Sequence, residues 1–405
     1  MPTKRAGVIF AMALIFYLLA NQTQVGWIYI FTNILLGFLI VSFFYARGLL
    51  SRLIVTRSIR PVDDQPQQMS MQDEIVSLPD LDRVPTFHED DAVEIKLTCS
   101  QTGIRPLFLV DGREFCPFAP EHDQDQSLFI PTLFRSEPLQ FAYSTVCDRR
   151  GVFSLSHILV QTTGPFGLFR TKRTLNAPSN VMIYPAYHPL NRLRHFENRN
   201  LAERQAQRVG AGSQIIGTRD YQRGDSLRLI HWRSTARMGN LVVKEFSDDE
   251  DRTLTVVLDL HQQASVGQGK HSTFETAIRV AASLSHYAEN KKIPFYLQGT
   301  SQNWIPPKAS LSWWATLNYL AKVEQDGQQP LETILPHLKG TNFYIILISQ
   351  ASPAVIQALQ TLAQRQLSVL PIFITPSGEL PSGANKLETA ISLSPFNWAS
   401  VLSTL

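Results

Sequence analysis

Cysteine is scarce and never paired in this 405-residue chain: Cys99, Cys116 and Cys147 occur singly, with no Cys-x-x-Cys. An odd, sparse count argues against a disulfide-stapled secreted scaffold and for a reducing compartment. A Cys99–Cys147 bridge in an exported domain is the alternative. Net charge is small as well, +3 at pH 7, so global electrostatics predict neither a polyanionic nor an acidic partner. Internal repeats and extended low-complexity segments are lacking. No Gly-x-Ser-x-Gly elbow and no His-Glu-x-x-His zinc helix occurs, which removes the sequence signals of two large hydrolase classes.

What is present in quantity is apolar sequence at the amino-terminal end. Val8 to Ala20 is an unbroken run preceded by Lys4 and Arg5, and Val25 to Tyr45 is almost wholly apolar. Asn21-Gln22-Thr23-Gln24 separates them. A bilayer core of ~30 Å needs roughly 20 helical residues, or about 17 at the low end. The second run qualifies outright; the first needs Ala6, Gly7 and some turn residues to reach across. A cleaved signal peptide is the alternative for the first run, but Leu18-Leu19-Ala20 is a poor cleavage site and a second span begins almost at once. Residues 1–46 are therefore expected to form a transmembrane helical hairpin. Basic residues flank it at Lys4, Arg5, Arg47, Arg52, Arg57 and Arg60, with none in the turn. That bias puts both termini and the soluble domains in the cytoplasm.

With 44% hydrophobic residues, the rest of the chain is long enough for two domains with real cores. Residues 53–187 show short alternating stretches such as Val93-Glu-Ile95-Lys-Leu97, Leu107 to Val110 ended by Asp111-Gly112, Gln140 to Tyr143 and Ser156 to Val160. Period-two runs at such spacing predict a β-sandwich-like domain. Residues 61–72, rich in Pro, Asp and Gln, read as a loop. Gly164-Pro165-Phe166-Gly167-Leu168-Phe169 reads as a turn whose aromatics tuck against a sheet edge.

Residues 188–250 read as an Arg-rich connector, partly helical over 190–213. Between 190 and 240 the positive charge is carried by arginine without a single lysine, which favours planar bidentate pairing over plain solubility. Asp225 sits where an N-cap belongs and Gly239 where a left-handed C′ residue belongs. A three-turn helix over 226–238 would put Arg228, Trp232 and Arg233 on roughly one side. Leu241 to Phe246 follows as a strand. Residues 251–405 alternate strand and helix: strands at Leu254–Leu260, Ile293–Leu297, Phe343–Ile348 and Leu367–Ile374, and helices at Ser272–Asn290, near 310–323 and near 353–365. This pattern predicts a doubly wound α/β domain.

The middle segment carries Arg219-Asp220-Tyr221, Gly224-Asp225, Arg228-x-Ile230-x-Trp232 and Ala236-Arg237. In that order, with Arg150-Gly151, Pro165-Phe166-Gly167 and Tyr184-Pro185 before them, these motifs closely resemble the signature of the domain-of-unknown-function 58 family. Such proteins are similar to a bacterial group often encoded beside MoxR-type AAA ATPases, and the resemblance covers nearly the whole chain. It implies a carboxy-terminal domain like the von Willebrand factor type A fold, a place in the bacterial inner membrane, and a MoxR-type AAA ATPase as partner. It implies little biochemistry.

Type A domains often hold Mg²⁺ through Asp-x-Ser-x-Ser after the first strand, using hard oxygen ligands. Here that loop is Asp259-Leu-His261-Gln-Gln263, and Ser349-Gln350 stands where a second Asp is expected. One carboxylate carries too little charge, so no metal and no cofactor is expected; Asp259 instead caps a helix or pairs with an Arg. Gly267 to Ser272 fails as a phosphate loop because Ala264 replaces its first Gly and His271 displaces its hydroxyl. Gly210-Ala-Gly212-Ser213 lacks the third glycine of a dinucleotide fingerprint. His195 and His231 read as structural hydrogen-bonders.

The signature then has two compatible readings. In one, Asp220 and Asp225 pair with neighbouring arginines, with Tyr221 and Trp232 as packed anchors, and lock the two domains together. In the other it is a docking surface of hot-spot residue types. The expected function is a non-enzymatic, membrane-anchored scaffold working with the ATPase on an envelope complex. The alternatives are a type A domain with atypical metal ligands, or nucleic-acid binding through the arginines. Interleaved acids, absent lysine and modest charge weigh against nucleic acid. A reporter fused at Leu405 should be active as a cytoplasmic fusion; activity confined to the periplasm would overturn the orientation.

Overall fold

The computed structural model describes residues 1–62, 85–198, 215–222, 225–246, 253–339, 342–365, 367–387 and 389–404. Most of the loop expected over 61–72 and most of the connector over 190–213 lie outside them, while Pro61 closes a strand instead of opening the loop. The chain divides into two compact units, Met1–Tyr184 and Pro185–Leu405.

The first unit opens with helices α1 (Lys4–Thr23) and α2 (Gly26–Arg47), both long and apolar enough to cross a membrane. Thr3 caps α1 by accepting from Ala6 N. Gln24, at φ 56°, ends it in the left-handed conformation with its N–H on Ala20 O, the geometry that satisfies terminal carbonyls without glycine. Ala6, Ala13 and Ala20 of α1 are buried, as are Thr32, Leu39 and Ala46 of α2. Both series recur every seven residues, and the small side chains let the two backbones approach closely. The outer apolar side chains, including Phe10, Ile15, Trp27 and Phe44, are exposed.

Two sheets follow. Strands β1 (Leu53–Pro61), β2 (Thr86–His88), β3 (Ala92–Gln101), β4 (Leu107–Phe115), β5 (Asp125–Leu133), β6 (Leu139–Val146), β7 (Gly151–Thr162) and β8 (Thr171–Tyr184) pair in the orders β1-β3-β6 and β2-β8-β7-β4-β5. All pairs are antiparallel except β2 with β8. Alternate residues of β3 (Val93, Ile95, Leu97, Cys99) meet Val110, Ile130, Ile158 and Val181 of the larger sheet in one core.

Two expectations need correction here, and one alternative falls away. β4 does not end at Asp111-Gly112 but runs on to Phe115, and Gly112 is required by close approach: a Cβ there would lie 2.6 Å from Leu128 Cγ. All three cysteines are free and buried, so the Cys99–Cys147 bridge is not made; burial pushes the Cys99 and Cys116 thiols up to about 11 and about 12, which leaves them unreactive. The Gly164–Phe169 turn tucks against the helical hairpin rather than a sheet edge. Its Phe166 ring lies 4.8 Å from Phe38 and Phe169 lies 5.5 Å from Phe43, because an apolar helix pair offers aromatic rings more surface than an edge does.

A fully buried ion pair, invisible to pattern reading, joins the sheets. Arg57 of β1 donates from Nε to Glu114 Oε1 of β4 at 2.5 Å, and both side chains are wholly excluded from solvent. Arg57 Nη1 also donates to Leu155 O and Ala177 O, and Tyr143 OH donates to Glu114 Oε2 at 3.0 Å. Burial followed by the Glu114 charge drives the Tyr143 phenol far above its usual range.

The second unit begins with residues 185–198, where Leu190, Leu193 and Phe196 are buried and the Phe196 ring lies 5.2 Å from Phe343. The described part of the expected connector thus packs as part of the α/β body. Next come β9 (Ile215–Asp220), α3 (Trp232–Met238) and β10 (Val242–Phe246). The remainder is β11 (Leu254–Leu258), α4 (Thr273–Asn290), β12 (Phe295–Gly299), α5 (Trp313–Lys322), α6 (Leu331–Ile334), β13 (Phe343–Ile348), α7 (Pro353–Gln364), β14 (Ser368–Ile374), β15 (Ile391–Leu393) and α8 (Trp398–Leu402).

β11 to β15 form one parallel sheet in the order β12-β11-β13-β14-β15. Tyr344, Ile346 and Ile348 of β13 pack with Leu335, Leu359 and Leu362 of the covering segments, while Phe343, Ile345 and Leu347 between them are buried too. Burial on both faces explains why β13 is a continuous apolar run instead of an alternating one. Ser272 caps α4 by accepting from Glu275 N, a Ser-x-x-Glu start. Ser352 caps α7 with Pro353 behind it.

Replacing Arg57 with Met leaves a buried, unpaired Glu114 and should cost about 3–5 kcal/mol. The double variant Arg57→Met/Glu114→Leu should recover most of that, as read by unfolding of the detergent-solubilised chain. A single variant as stable as wild type would remove the pair from this account.

Candidate functional site

The signature residues are organised around β10. On one side β9 pairs with it antiparallel, Arg219 opposite Val243 and Asp220 opposite Val242, and Tyr221 N donates to Leu241 O at 2.9 Å. On the other side Ile230 bridges Val243, and His231 N donates to Val242 O at 2.8 Å. That second attachment breaks the helix expected over 226–238. Leu227–Leu229 is a single 3-10 turn, Ile230 is extended (φ −62°, ψ 128°) and buried, and the α-helix starts only at Trp232. Its cap is His231, whose Nδ1 accepts from Ser234 N at 3.2 Å, and not Asp225. Gly239 ends it at φ 75° with its N–H on Thr235 O, as expected for a C′ glycine. β9 had no sequence expectation; its signal is the β-branched pair Ile215-Ile216.

Asp225 is occupied elsewhere. Arg219 Nη1 and Nη2 donate to Asp225 Oδ2 and Oδ1, both at 2.8 Å, and Gln222 N donates to Oδ2 at 2.8 Å. Asp225 N returns a bond to Gln222 O at 3.0 Å. The Arg219 guanidinium, then the Gln222 N–H, hold the Asp225 carboxyl below its usual range. A carboxylate so held is ionised at neutral pH but weakly basic, and its lone pairs are already directed at donors, so it is poorly placed to abstract a proton. Gly224 lies outside the described residues.

The other signature side chains are not drawn into this pair. Asp220, Arg228, Arg233 and Arg237 are exposed and Tyr221 is half-buried. Trp232, expected as a packed anchor in one reading, is 66% exposed, as are Leu227 and Met238. The reason is local: with the helix starting at Trp232 and the backbone of Ile230 held in the sheet, it is Ile230 that turns inward. The arrangement therefore presents a large aromatic, two aliphatic side chains and three arginines on the surface of one small three-element unit.

Asp259 follows the end of β11, beside the end of β13, where the strand order of the sheet reverses. Ligand sites of open parallel sheets form at such places. It neither caps a helix nor pairs with an Arg. It is 5% exposed and accepts from His261 N at 3.2 Å. Burial pushes its carboxyl up to about 6, against the lowering effect of His261. Just past the end of β13, Ser349 Oγ is buried without a hydrogen-bond partner among the described residues, and Leu260 N donates to Thr300 Oγ1 at 2.8 Å. Among the described residues no group of three or more His, Cys, Asp or Glu side chains is arranged to hold a metal.

Residues 217–367 match the family described as Protein of unknown function DUF58. That span runs from β9 through the signature and the parallel strands to the end of α7. The chain is similar to the uncharacterized protein YeaD of Bacillus subtilis (strain 168), 23% identical over 167 residues, or 39% of this chain and 38% of that one. The chain thus matches well under half the length of this relative. Among solved structures it overlaps one described as the ApaA protein of Bordetella pertussis at 11% identity, TM-score 0.19, over 32% of this chain and 93% of that one. Spo0M, a sporulation control protein of Bacillus subtilis, overlaps at 8% identity, TM-score 0.15, over 42% and 58%. Scores this low establish no shared fold.

Because its folded-state proton affinity is raised, Asp259 contributes most stability when protonated, below about 3.8, and loses that contribution as pH rises through about 6. Asp259→Asn should therefore be more stable than wild type above pH 7, by about 3 kcal/mol at most. The gap should close as pH falls toward 4. A difference in melting temperature independent of pH would refute the burial argument.

Proposed function

We propose that this protein is a non-enzymatic scaffold anchored in the bacterial inner membrane, with its soluble units cytoplasmic, and that the signature unit docks a partner protein. The observation that carries the reading is the exposure of Trp232 together with Leu227, Met238 and the arginines 228, 233 and 237. Tryptophan and arginine are the residue types that dominate binding energy at interfaces, and an exposed Trp gains nothing for folding. The bidentate Arg219–Asp225 pair supports a binding role over a catalytic one, since it stiffens the loop and consumes the nearest carboxylate.

The partner of choice is a MoxR-type AAA ATPase that assembles or remodels an envelope complex, as the family resemblance implies. A von Willebrand factor type A-like reading of the second unit draws support from its parallel five-stranded sheet and from Asp259 at the end of the first strand. Two apolar helices with basic residues at one end support the membrane anchor.

Affinity capture of the full-length chain from detergent extract should recover the ATPase. Trp232→Ala should weaken the complex by roughly tenfold to thirtyfold while leaving the melting temperature nearly unchanged, since exposed substitutions rarely exceed about 0.5 kcal/mol. Repeated failure to recover an ATPase from intact membranes, or full binding by the Trp232→Ala chain, would sink the proposal.

A further inference from the structure

Basic residues gather at one end of the hairpin, where the first turn of α1 meets the segment joining β7 to β8. A cleft of about 630 Å³ there is lined by Lys4, Arg5, Thr163, Arg170 and Lys172. No acidic residue lines it, and among the described residues none of these four cations makes an ion pair. A neighbouring cleft of about 360 Å³ shares Arg170 and Lys172 and adds Arg47 from the last turn of α2. Among the described residues five cations thus gather around the two clefts without an acidic side chain in their lining, an arrangement that favours a bound anion.

The charged cleft is continuous with apolar surface. A groove of about 470 Å³ shares Lys4 and Arg5 with it and is otherwise walled by Val8, Ile9, Phe38, Phe166 and Leu168. Those walls belong to the outer face of the two apolar helices and to the aromatic turn docked on them. A free phosphate would match the cations and leave the groove unexplained. A molecule with an anionic head and a hydrocarbon tail accounts for both.

The site is preformed. Thr3 N donates to Leu168 O at 2.9 Å, Arg170 N donates to Met1 O at 2.8 Å, and Thr3 Oγ1 donates to Gly167 O at 2.8 Å. These bonds hold the start of α1 against residues 167–170, with Arg5 and Arg170 at the same cleft. Gly167 has φ 67°, a left-handed turn conformation that favours glycine.

The geometry points to a binding site for one anionic phospholipid, its phosphate between Lys4, Arg5, Arg170 and Lys172 and an acyl chain along Val8, Phe38 and Phe166. Basic clusters at the end of a membrane span attract acidic headgroups at about 1 kcal/mol per cation, which is roughly fivefold in affinity each. Bound there, the lipid bridges the hairpin to the strand β8, so the sheet body senses the charge of the membrane it stands on. The inference rests on the hairpin lying in a bilayer, which the first arm of the experiment checks separately.

Full-length protein and variants are first floated with vesicles of pure phosphatidylcholine. The same chains in phosphatidylcholine nanodiscs are then titrated with phosphatidylglycerol and, in parallel, with inorganic phosphate, reading melting temperature and lipid adducts by native mass spectrometry. Wild type should float, melt higher with phosphatidylglycerol than without, and retain one such lipid; phosphate alone should do nothing. Arg5→Gln/Arg170→Gln/Lys172→Gln should float but bind roughly 100-fold more weakly, whereas Arg5→Lys/Arg170→Lys and the exposed control Arg60→Gln should keep the shift. A chain that fails to float overturns the membrane reading and this site with it. Floating protein that ignores phosphatidylglycerol, responds equally to inorganic phosphate, or binds unchanged in the triple variant overturns the lipid site alone.

Discussion

The Arg57–Glu114 pair sits where neither charge touches water, so it favours one way for the two sheets of the first unit to meet. Any other register would leave a guanidinium or a carboxylate buried and unpaired, at several kcal/mol each. The guanidinium reaches Glu114 on β4, Leu155 O on β7 and Ala177 O on β8 from its place on β1. A single side chain therefore ties four strands from both sheets. The hydrophobic core around it is non-directional and tolerates small slips; the ion pair does not.

The same cost of desolvating charge orders the other sites. Asp259, removed from water by burial, answers by holding its proton more tightly. Asp225 stays near the surface and takes both forks of Arg219 instead. At the hairpin, the charges collect beyond the apolar helices, where Lys4, Arg5, Arg47, Arg170 and Lys172 gather around two clefts. Charges and apolar faces are thus segregated along the hairpin, whose two helices are long and apolar enough to cross a membrane.

The signature unit illustrates how backbone pairing can turn a side chain outward. β10 is flanked by β9 and by the Ile230–His231 backbone, so both of its hydrogen-bonding edges are used near Val242 and Val243. Holding Ile230 extended buries its side chain and starts α3 at Trp232, which then projects to solvent. Surface exposure of Trp232 is a consequence of that pairing, and the proposed docking role uses it.

Much of this architecture was legible in the residues because it depends on local periodicity. A long, nearly unbroken apolar run makes a helix long and apolar enough to cross a membrane, alternation in β3 makes a half-buried strand, and the continuous run of β13 makes a strand covered on both faces. Ser272, Ser352 and Gly239 announce helix ends through bonds to residues no more than four positions away. The tertiary structure alone decided the rest, since it depends on residues far apart in sequence meeting in space. Arg57 finds Glu114 across 57 positions, Phe166 finds Phe38 on the hairpin instead of a sheet edge, and Ile230 finds Val243 and breaks a helix that local propensity favours. No window on the sequence contains both partners of such a contact, and propensity is too weak to resist them once they form.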